Sequence, residues 1–378
     1  MIPYGRQSLN QEDINAVVET LQSDWLTQGP KVESFEQALA EYCGASFAVV
    51  TTNGTSALHT AYAAADFKPG DEFITCPITF PATSNAGLWQ GAKPVFVDCD
   101  PTTGLIDLNG IEKKITPRTK AIVSVDYTGR AVDYDQVWTI AQRHNLLVIS
   151  DACQALGASY KGKKVGSLAD FTVFSFHPVK SITTGEGGAV LTNDESDYKV
   201  MKSFVTHGIS KQGLENPSPG DWYFEMQRLG QNYRLTDLQC ALGLSQLKRL
   251  DSFIAARRAR VARYHEAFSS CSKLELPILD TSENQSAWHL YVVRLAPELA
   301  VKRAEIFKKL RAKGIGIQIH HIPTYRHPYY QKLGYHAEDY PNAEKFYASV
   351  LSLPLFPDLT STQQDYVSEG VIEVINSY

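Results

Sequence analysis

Two rhythms of apolar residues alternate through the first half of the chain. Short continuous runs, bounded by glycine, proline and small polar residues, occur at Phe47–Thr51, Glu72–Cys76, Pro94–Asp98, Ala121–Val125, Leu146–Ile149, Phe171–Phe176 and Gly188–Leu191. Runs of this length and punctuation read as buried strands. Between them apolar residues recur at helical spacing. Residues 10–22 place Ile14, Val17, Val18 and Leu21 on one face behind a capping Asn10, and Lys31–Cys43 does the same with Val32, Phe35, Leu39 and Tyr42. The alanine-rich Ala57–Ala65, Ala82–Gln90 and Asp135–His144 complete the series. Strands alternating with helices predict an α/β fold, a mostly parallel sheet with helices on both faces. Ligands of such sheets bind outside the carboxyl ends of the strands.

The second half changes character. Residues 205–235 are irregular, with a loop at Asn216-Pro217-Ser218-Pro219-Gly220. A helix follows Thr236 or Asp237, and another spans about 251–269 with Phe253, Ile254, Val261, Tyr264 and Phe268 inward. Arg257, Arg258, Arg260 and Arg263 then read as its solvated face. The last hundred residues predict a compact α+β unit: strand Leu290–Leu295, helix Val301–Lys313, strand Gly316–His320, and helices Asn342–Leu351 and Thr362–Ile375. The expected division is a large domain over residues 1–250 with an N-terminal helical segment, and a small C-terminal domain over 251–378.

Composition narrows the class. With 378 residues, 43% hydrophobic and 20% charged, the chain can bury a sizeable core. A net charge of −5 argues against nucleic acid as a partner. The start lacks a basic-then-apolar leader, and no apolar run reaches the ~18 residues a membrane span needs, so a cytoplasmic protein is expected. Six scattered cysteines without CxxC pairing read as reduced, mostly buried thiols.

The candidate chemistry gathers at the predicted strand ends. Lys180 sits in a glycine-rich turn between the runs Phe171–Phe176 and Gly188–Leu191, with Ser175, Thr183 and Thr184 beside it. A lysine held near apolar walls loses its proton and attacks carbonyls. Thr55 and Ser56 follow a strand and open a helix, so they either cap that helix or join its free N–H groups around an anion. Phe80 covers core or stacks on a flat ring. Asp151, at the end of a buried-type strand, either caps a helix or holds a protonated ring nitrogen. His320 and Gln318 share the polar side of their run, and the string His320–His327 suits recognition of a polar ligand; no third ligand at metal spacing accompanies it, and no metal is expected.

The ordered set Asn53–Leu58, Pro77–Ala82, Asp151–Ala155, Ser175–Lys180, Gly185–Gly188 and Gly230–Leu235 resembles the DegT/DnrJ/EryC/StrS nucleotide-sugar aminotransferases over essentially the whole chain. That resemblance implies the aspartate aminotransferase fold (fold type I) and pyridoxal 5′-phosphate (PLP). It makes Lys180 the catalytic lysine that holds the cofactor covalently and later moves a proton. It makes Asp151 the partner of the ring nitrogen, and Thr55, Ser56 and Ser175 phosphate ligands. Phe80 covers the ring, Gln154 meets it from the other side, and Asn232 reaches the cofactor phosphate of a neighbouring subunit, implying a homodimer with shared active sites. The family's dehydratases have histidine for the lysine, so Lys180 favours transamination.

Within the family, Ile2–Gln7, His177–Lys180 with Ile182–Gly188, and His320–Pro323 resemble the pseudaminic-acid branch. The implied reaction converts UDP-2-acetamido-2,6-dideoxy-β-L-arabino-hexos-4-ulose to UDP-4-amino-4,6-dideoxy-N-acetyl-β-L-altrosamine, with L-glutamate as amino donor. The aminoarabinose enzyme of lipid A modification is similar but usually has cysteine where Thr184 stands, and a transaminase for another UDP-, dTDP- or GDP-linked keto sugar is the wider alternative. A non-catalytic PLP-binding regulator is the remaining reading, disfavoured by Lys180 and Asp151. Tyr4, Gln28, Lys31, Arg234, His320, Tyr325 and Arg326 are the substrate-binding candidates, because cations suit diphosphate and aromatic rings suit uracil.

Overall fold

The computed structural model describes residues 1–378. Its strands to residue 192 are β1 (Phe47–Thr51), β2 (Glu72–Thr75), β3 (Lys93–Phe96), β4 (Thr119–Val125), β5 (Leu147–Asp151), the short β6 (Ser159–Tyr160) and β7 (Lys163–Lys164), then β8 (Phe171–Ser175) and β9 (Gly188–Thr192). Seven of them form one sheet in the order β1-β9-β8-β5-β4-β2-β3. Only β9 runs against the rest: it is antiparallel to β1 and to β8, while β8, β5, β4, β2 and β3 are parallel. The predicted mostly parallel sheet is therefore present.

Both faces of this sheet are covered. Val49, Val123, Ile149, Val173 and Val190 pack on one side with Ala57, Leu58 and Ala61. Val50, Ile122, Val148, Phe174 and Leu191 point to the other side, as the two-residue period of a strand requires. Each such buried side chain is worth about 1.5–3 kcal/mol. The three N-terminal helices are α1 (Gln11–Leu21), α2 (Pro30–Cys43) and α3 (Gly54–Ala64). Alanine lets α3 lie close to the sheet, and Ala57–Tyr62 is buried throughout.

The C-terminal part has a three-stranded antiparallel sheet, Leu274–Glu275 against Tyr291–Leu295 against Val350–Leu353. Helices Leu250–Phe268, Arg303–Ala312 and Ser361–Asn376 help to build a second buried cluster around it.

Three expectations are corrected here. The strand expected over Gly316–His320 is not formed. Ile315 and Ile317 are buried, but Ile2 occupies one edge, bonding Gly314 O at 2.8 Å and Gly316 N at 2.7 Å, and the other edge makes a single bridge, Gln318 to Ser352. The helix expected to reach Leu351 stops at Ser349, and Val350–Leu353 pairs with Tyr291–Arg294 instead. The arginine face is not wholly solvated: Arg257 is 1% exposed and its Nη1 donates to the carbonyls of Trp288, His289 and Leu355. In addition, α1 docks by its polar side. Asp13 is buried and accepts from Ser245 Oγ at 2.6 Å, Gln246 Nε2 at 2.7 Å and the Arg249 guanidinium, whereas Ile14, Val18 and Leu21 stay exposed.

Arg257 gives a direct test of how the C-terminal part is held. Arg257→Ala strands three carbonyls without their donor and is expected to cost about 3 kcal/mol or more. Urea unfolding of the cofactor-free protein reads this; an unchanged midpoint would show that Arg257 is incidental.

Candidate active site

The carboxyl ends of β1, β2, β4, β5 and β8 lie along one edge of the sheet, and the predicted chemistry lies there too. After β1 the chain turns directly into α3. Asn53 caps the helix: its side chain accepts from Ser56 N at 2.8 Å, and Ser56 Oγ accepts from Asn53 N at 3.0 Å. Ser56 Oγ also meets Thr52 Oγ1 at 3.0 Å, so this hydroxyl is engaged in building the turn. The backbone N–H groups of Gly54 and Thr55 make no hydrogen bond within the chain. Donors left over at a helix start attract anions. The turn is pressed against its neighbours. A Cβ on Gly188 would stand 2.5 Å from Asn53 O, and one on Gly54 would stand 2.9 Å from Ser175 Cβ. Thr55, Ser56 and Ser175 are thus brought together from two separate strand ends.

Asp151 closes β5 and is 6% exposed. It caps no helix. Its Oδ2 accepts from Thr83 Oγ1 at 2.6 Å, and its Oδ1 accepts from Cys153 N at 3.2 Å. Thr83 is in turn bonded to Thr79 at 2.7 Å, on the turn that carries Phe80. Lys180 follows β8 in a turn closed by its own N–H to His177 O at 2.9 Å. Burial pushes the Lys180 ammonium below its ordinary value, while Cys153 and Asp151 pull the other way. The site therefore favours a lysine that gives up its proton.

Gln154 links this edge to the C-terminal part. Its Oε1 accepts from Thr128 N at 2.7 Å, and its Nε2 lies 3.1 Å from His321 Nε2. Tyr127 Oη donates to His320 O. Tyr4 packs beside the His320 ring at 5.2 Å, and His320 Nδ1 lies 2.9 Å from Ser352 Oγ. Phe80 is 61% exposed, edge-on to His321 at 6.1 Å, with a free face. His289 and His321 are held well below the usual imidazole value, first by burial and then by nearby cations that include Lys180. His320 falls to about 4 for the same reasons.

The other candidates lie apart. Gln28 and Arg234 line a cleft of about 950 Å3 beside β1, together with Lys202 and Arg228. Lys31 is tied by its backbone to Asp237 Oδ1 at 2.9 Å. Asn232 is exposed and pairs by its backbone with Thr206. Tyr325 is 1% exposed and stacked on Tyr340, and the Tyr325 and Arg326 side chains both bond Glu344. Sequence reasoning missed Thr83, Tyr127, Thr128 and His289, and named His321 only as part of a polar string. Tyr127 and Thr128 carried a usable signal, since they too directly follow a predicted strand.

A profile of the DegT/DnrJ/EryC1/StrS aminotransferase family matches residues 7–372. The chain belongs to this family. It is 41% identical to the spore coat polysaccharide biosynthesis protein SpsC of Bacillus subtilis, over 99% of this chain and 97% of that one. It is 39% identical to a UDP-4-amino-4,6-dideoxy-N-acetyl-β-L-altrosamine transaminase of Campylobacter jejuni, over 99% and 98%. Helicobacter pylori PseC, an aminotransferase involved in pseudoaminic acid biosynthesis, superposes with a TM-score of 0.94 at 37% identity and full coverage of both chains. The PLP form of the Streptococcus pneumoniae sugar aminotransferase Spr1654 gives 0.94 at 30% identity, over 100% and 99%. The protein is a sugar aminotransferase, a transaminase of fold type I that uses pyridoxal phosphate. The residues present fit that cofactor: free N–H groups and hydroxyls for a phosphate, an anchored carboxylate for a basic ring nitrogen, and a lysine of lowered basicity for the aldehyde.

The depressed His320 has a measurable consequence. The unfolded chain takes up a proton near pH 6.5 that the folded ring refuses until about pH 4, so its share of stability is full above pH 6.5 and is lost as pH falls through that window. His320→Gln is expected to lose less stability than the parent between pH 7 and pH 5; equal losses in urea titrations would contradict it.

Proposed function

We propose that this enzyme transfers the amino group of L-glutamate to a UDP-linked 4-keto-6-deoxy-2-acetamido sugar, giving UDP-4-amino-4,6-dideoxy-N-acetyl-β-L-altrosamine, as in pseudaminic acid biosynthesis. One observation carries the chemistry. Asp151 and Lys180 stand at the ends of adjacent parallel strands, β5 and β8, beside the unpartnered start of α3. The sugar assignment is supported by transaminases named for that product at 37–39% identity over nearly the whole chain.

When bound, pyridoxal phosphate supplies a carbonyl that carries the amino group and a ring that accepts electrons. The chain supplies the rest. Thr55, Ser175 and the Gly54 and Thr55 N–H groups hold the phosphate, and Ser56 shapes their turn. Asp151, fixed by Thr83 and the Cys153 amide, keeps a proton on the ring nitrogen. Phe80 and Gln154 would line the ring. Lys180 holds the cofactor and then moves a proton to or from the substrate carbon through Nζ, where proximity matters more than intrinsic base strength. Tyr4 and His320 contact the sugar side. Gln28, Lys31 and Arg234 bind the nucleotide diphosphate, and Asn232 reaches the phosphate of a neighbouring copy.

A homodimer with shared active sites follows from this reading. It is favoured by the open apolar face of Ile14, Val18 and Leu21, continued by the exposed Trp25 and Leu26. Sedimentation velocity is expected to give a dimer, and Val18→Glu with Leu21→Glu to give monomers that have lost activity; a fully active monomer would remove this part of the proposal.

The decisive experiment offers UDP-, dTDP- and GDP-linked keto sugars with L-glutamate and identifies products by mass and proton NMR. The UDP-4-keto sugar above is expected to turn over best, and a preference for another nucleotide or a C3 ketone would reassign the substrate. Lys180→Ala is expected to lose the cofactor's visible absorption on dialysis and at least ~10³-fold in turnover. Normal turnover by that variant would refute the role of Lys180.

A further inference from the structure

The turn that carries Phe80 is built around two buried hydroxyls. Thr79 is 1% exposed and Thr83 not at all, and their Oγ1 atoms lie 2.7 Å apart. Thr83 Oγ1 also lies 2.6 Å from Asp151 Oδ2 and 3.1 Å from Phe80 O. Each hydroxyl has a single proton to give, so the direction of these bonds follows from their neighbours. An ionised carboxylate only accepts, and the 2.6 Å contact has the length of a hydroxyl bonded to a charge. Its proton therefore comes from Thr83. The Phe80 carbonyl is neutral and farther away, and competes for that proton less well. The contact with Thr79 is left to Thr79 as donor, and Thr79 Oγ1 makes no other hydrogen bond. The order is Thr79 to Thr83 to Asp151. A hydroxyl that accepts one bond donates a stronger one, most of all away from water.

The fold places both hydroxyls independently of Asp151. Tyr62 Oη, on α3, donates to the Thr83 carbonyl at 2.9 Å. Thr324 N, from the C-terminal part, donates to Pro77 O at 2.9 Å, at the start of the turn. Thr83 N to Phe80 O at 3.2 Å and Asn85 N to Pro81 O at 2.8 Å lead the turn into the helix Ala82–Trp89. Asp151 needs such donors. Asp126, after β4, is a second fully buried acid that faces it, raised to about 6 first by burial and also by Asp151. Tyr62 and Cys153 face it too, and burial keeps both protonated. These three neighbours bring Asp151 no positive charge, and the Cys153 amide at 3.2 Å is a longer contact than the Thr83 hydroxyl. Lys180, the cation nearby, is itself made less basic by burial.

We propose that Thr79 and Thr83 are positioning residues for Asp151: their relay stabilises its carboxylate from behind, so that the proton it shares with the cofactor's ring nitrogen stays on the nitrogen. This rests on the reading of Asp151 as the partner of that nitrogen. A buried carboxylate with too few donors is a strong base. It would draw the shared proton to itself and leave a neutral ring, which accepts electrons poorly. A hydroxyl aimed at Oδ2 weakens that pull and leaves the negative charge in place. A lysine or arginine in the same position would neutralise the charge that the ring nitrogen needs. Phe80 lies between Thr79 and Thr83 in sequence, so one turn sets both the ring's aromatic neighbour and the ring's proton.

The test compares Thr83→Val, which removes the donor at nearly constant shape, with Thr83→Ser, which keeps it, and Thr79→Val, which removes only the outer hydroxyl. Cofactor-free protein is reloaded with pyridoxal phosphate isotopically labelled at the ring nitrogen, and nitrogen NMR distinguishes the protonated from the neutral ring. Thr83→Val is expected to move the signal toward the neutral position, Thr79→Val to move it the same way by less, and Thr83→Ser to stay with the parent. In single turnovers of the loaded enzyme with L-glutamate, Thr83→Val is expected to be slower by about 10- to 100-fold, the worth of one hydrogen bond to a charged group, with little change in glutamate affinity. Thr83→Ser is expected to recover most of the rate. A parent-like nitrogen signal in Thr83→Val or in Thr79→Val, or a signal in Thr83→Ser displaced as far as in Thr83→Val, overturns the proposal. If Thr83→Val does not fold, Thr83→Ala takes its place. A parent protein inert toward glutamate refutes the amino-donor reading alone, and the nitrogen signal still decides the relay. A parent whose ring nitrogen is neutral overturns both the relay and the reading of Asp151.

Discussion

The site depends on an inequality at Lys180: the cost of burying its ammonium exceeds the pull of the carboxylate nearby. A lysine and an aspartate in one site ordinarily hold each other charged, and such a pair does no proton transfer. Here the pair is kept from closing. Asp151 is turned to Thr83 and to the Cys153 amide, where its charge is satisfied without the lysine. The groups around the amine are mostly neutral, histidines held well below their usual values by burial and a glutamine amide. Desolvation acts on this ammonium more strongly than the carboxylate offsets, so the lysine is less basic than usual.

That arrangement needs two parts of the chain distant in sequence. Asp151 and Lys180 come from the sheet edge, whereas His289, His320 and His321 arrive more than a hundred residues later. The contacts that fix them together are few and directional: Gln154 to His321, Tyr127 to the His320 carbonyl, and the Thr128–Gly129 turn to the backbone around His289. Arg257 locks that last segment from the far side. A guanidinium facing three carbonyls is an expensive way to fill a core position, and a hydrophobic residue would pack there at lower desolvation cost. What a hydrophobic residue lacks is direction. Arg257 defines where the Trp288 and His289 carbonyls point, and so fixes the imidazole that hangs from them.

This division also explains what was legible in the sequence. Lys180, Asp151, Thr55, Ser56 and Phe80 could be read because each directly follows a continuous apolar run, and in a parallel sheet all such positions share one edge. The sheet itself was legible for the same reason: runs buried on both faces need no partner information to be recognised. Arg257 was misread because helical spacing sorts residues by face and does not tell which face the later chain will cover. The alternation at Gly316–His320 correctly marked Ile315 and Ile317 as core but not the partner strand, since Ile2, from the opposite end of the chain, took that edge. Tyr325 and Arg326 read as ligand groups, and nothing in the pattern showed that both would bond Glu344. In each case the missing information was a long-range contact, which local pattern does not carry.

The sugar is the hardest feature to read, and the fold gives a reason. The groups suited to its two ends do not share a pocket in one chain. Tyr4 and His320 lie beside the C-terminal wall, whereas Gln28 and Arg234 line a separate basic cleft next to β1. The turn carrying Gln28 follows α1, the helix that buries its charged side against Arg249 and leaves its apolar side open. A helix arranged that way has exchanged ordinary core packing for an anchored polar contact, which makes sense when its apolar face is kept for a second copy. In the proposed dimer that face would meet a second copy, and residues of both chains would bear on the substrate. Substrate choice would then be set across the interface, by residues whose relation is invisible in a single sequence and only half present in a single subunit.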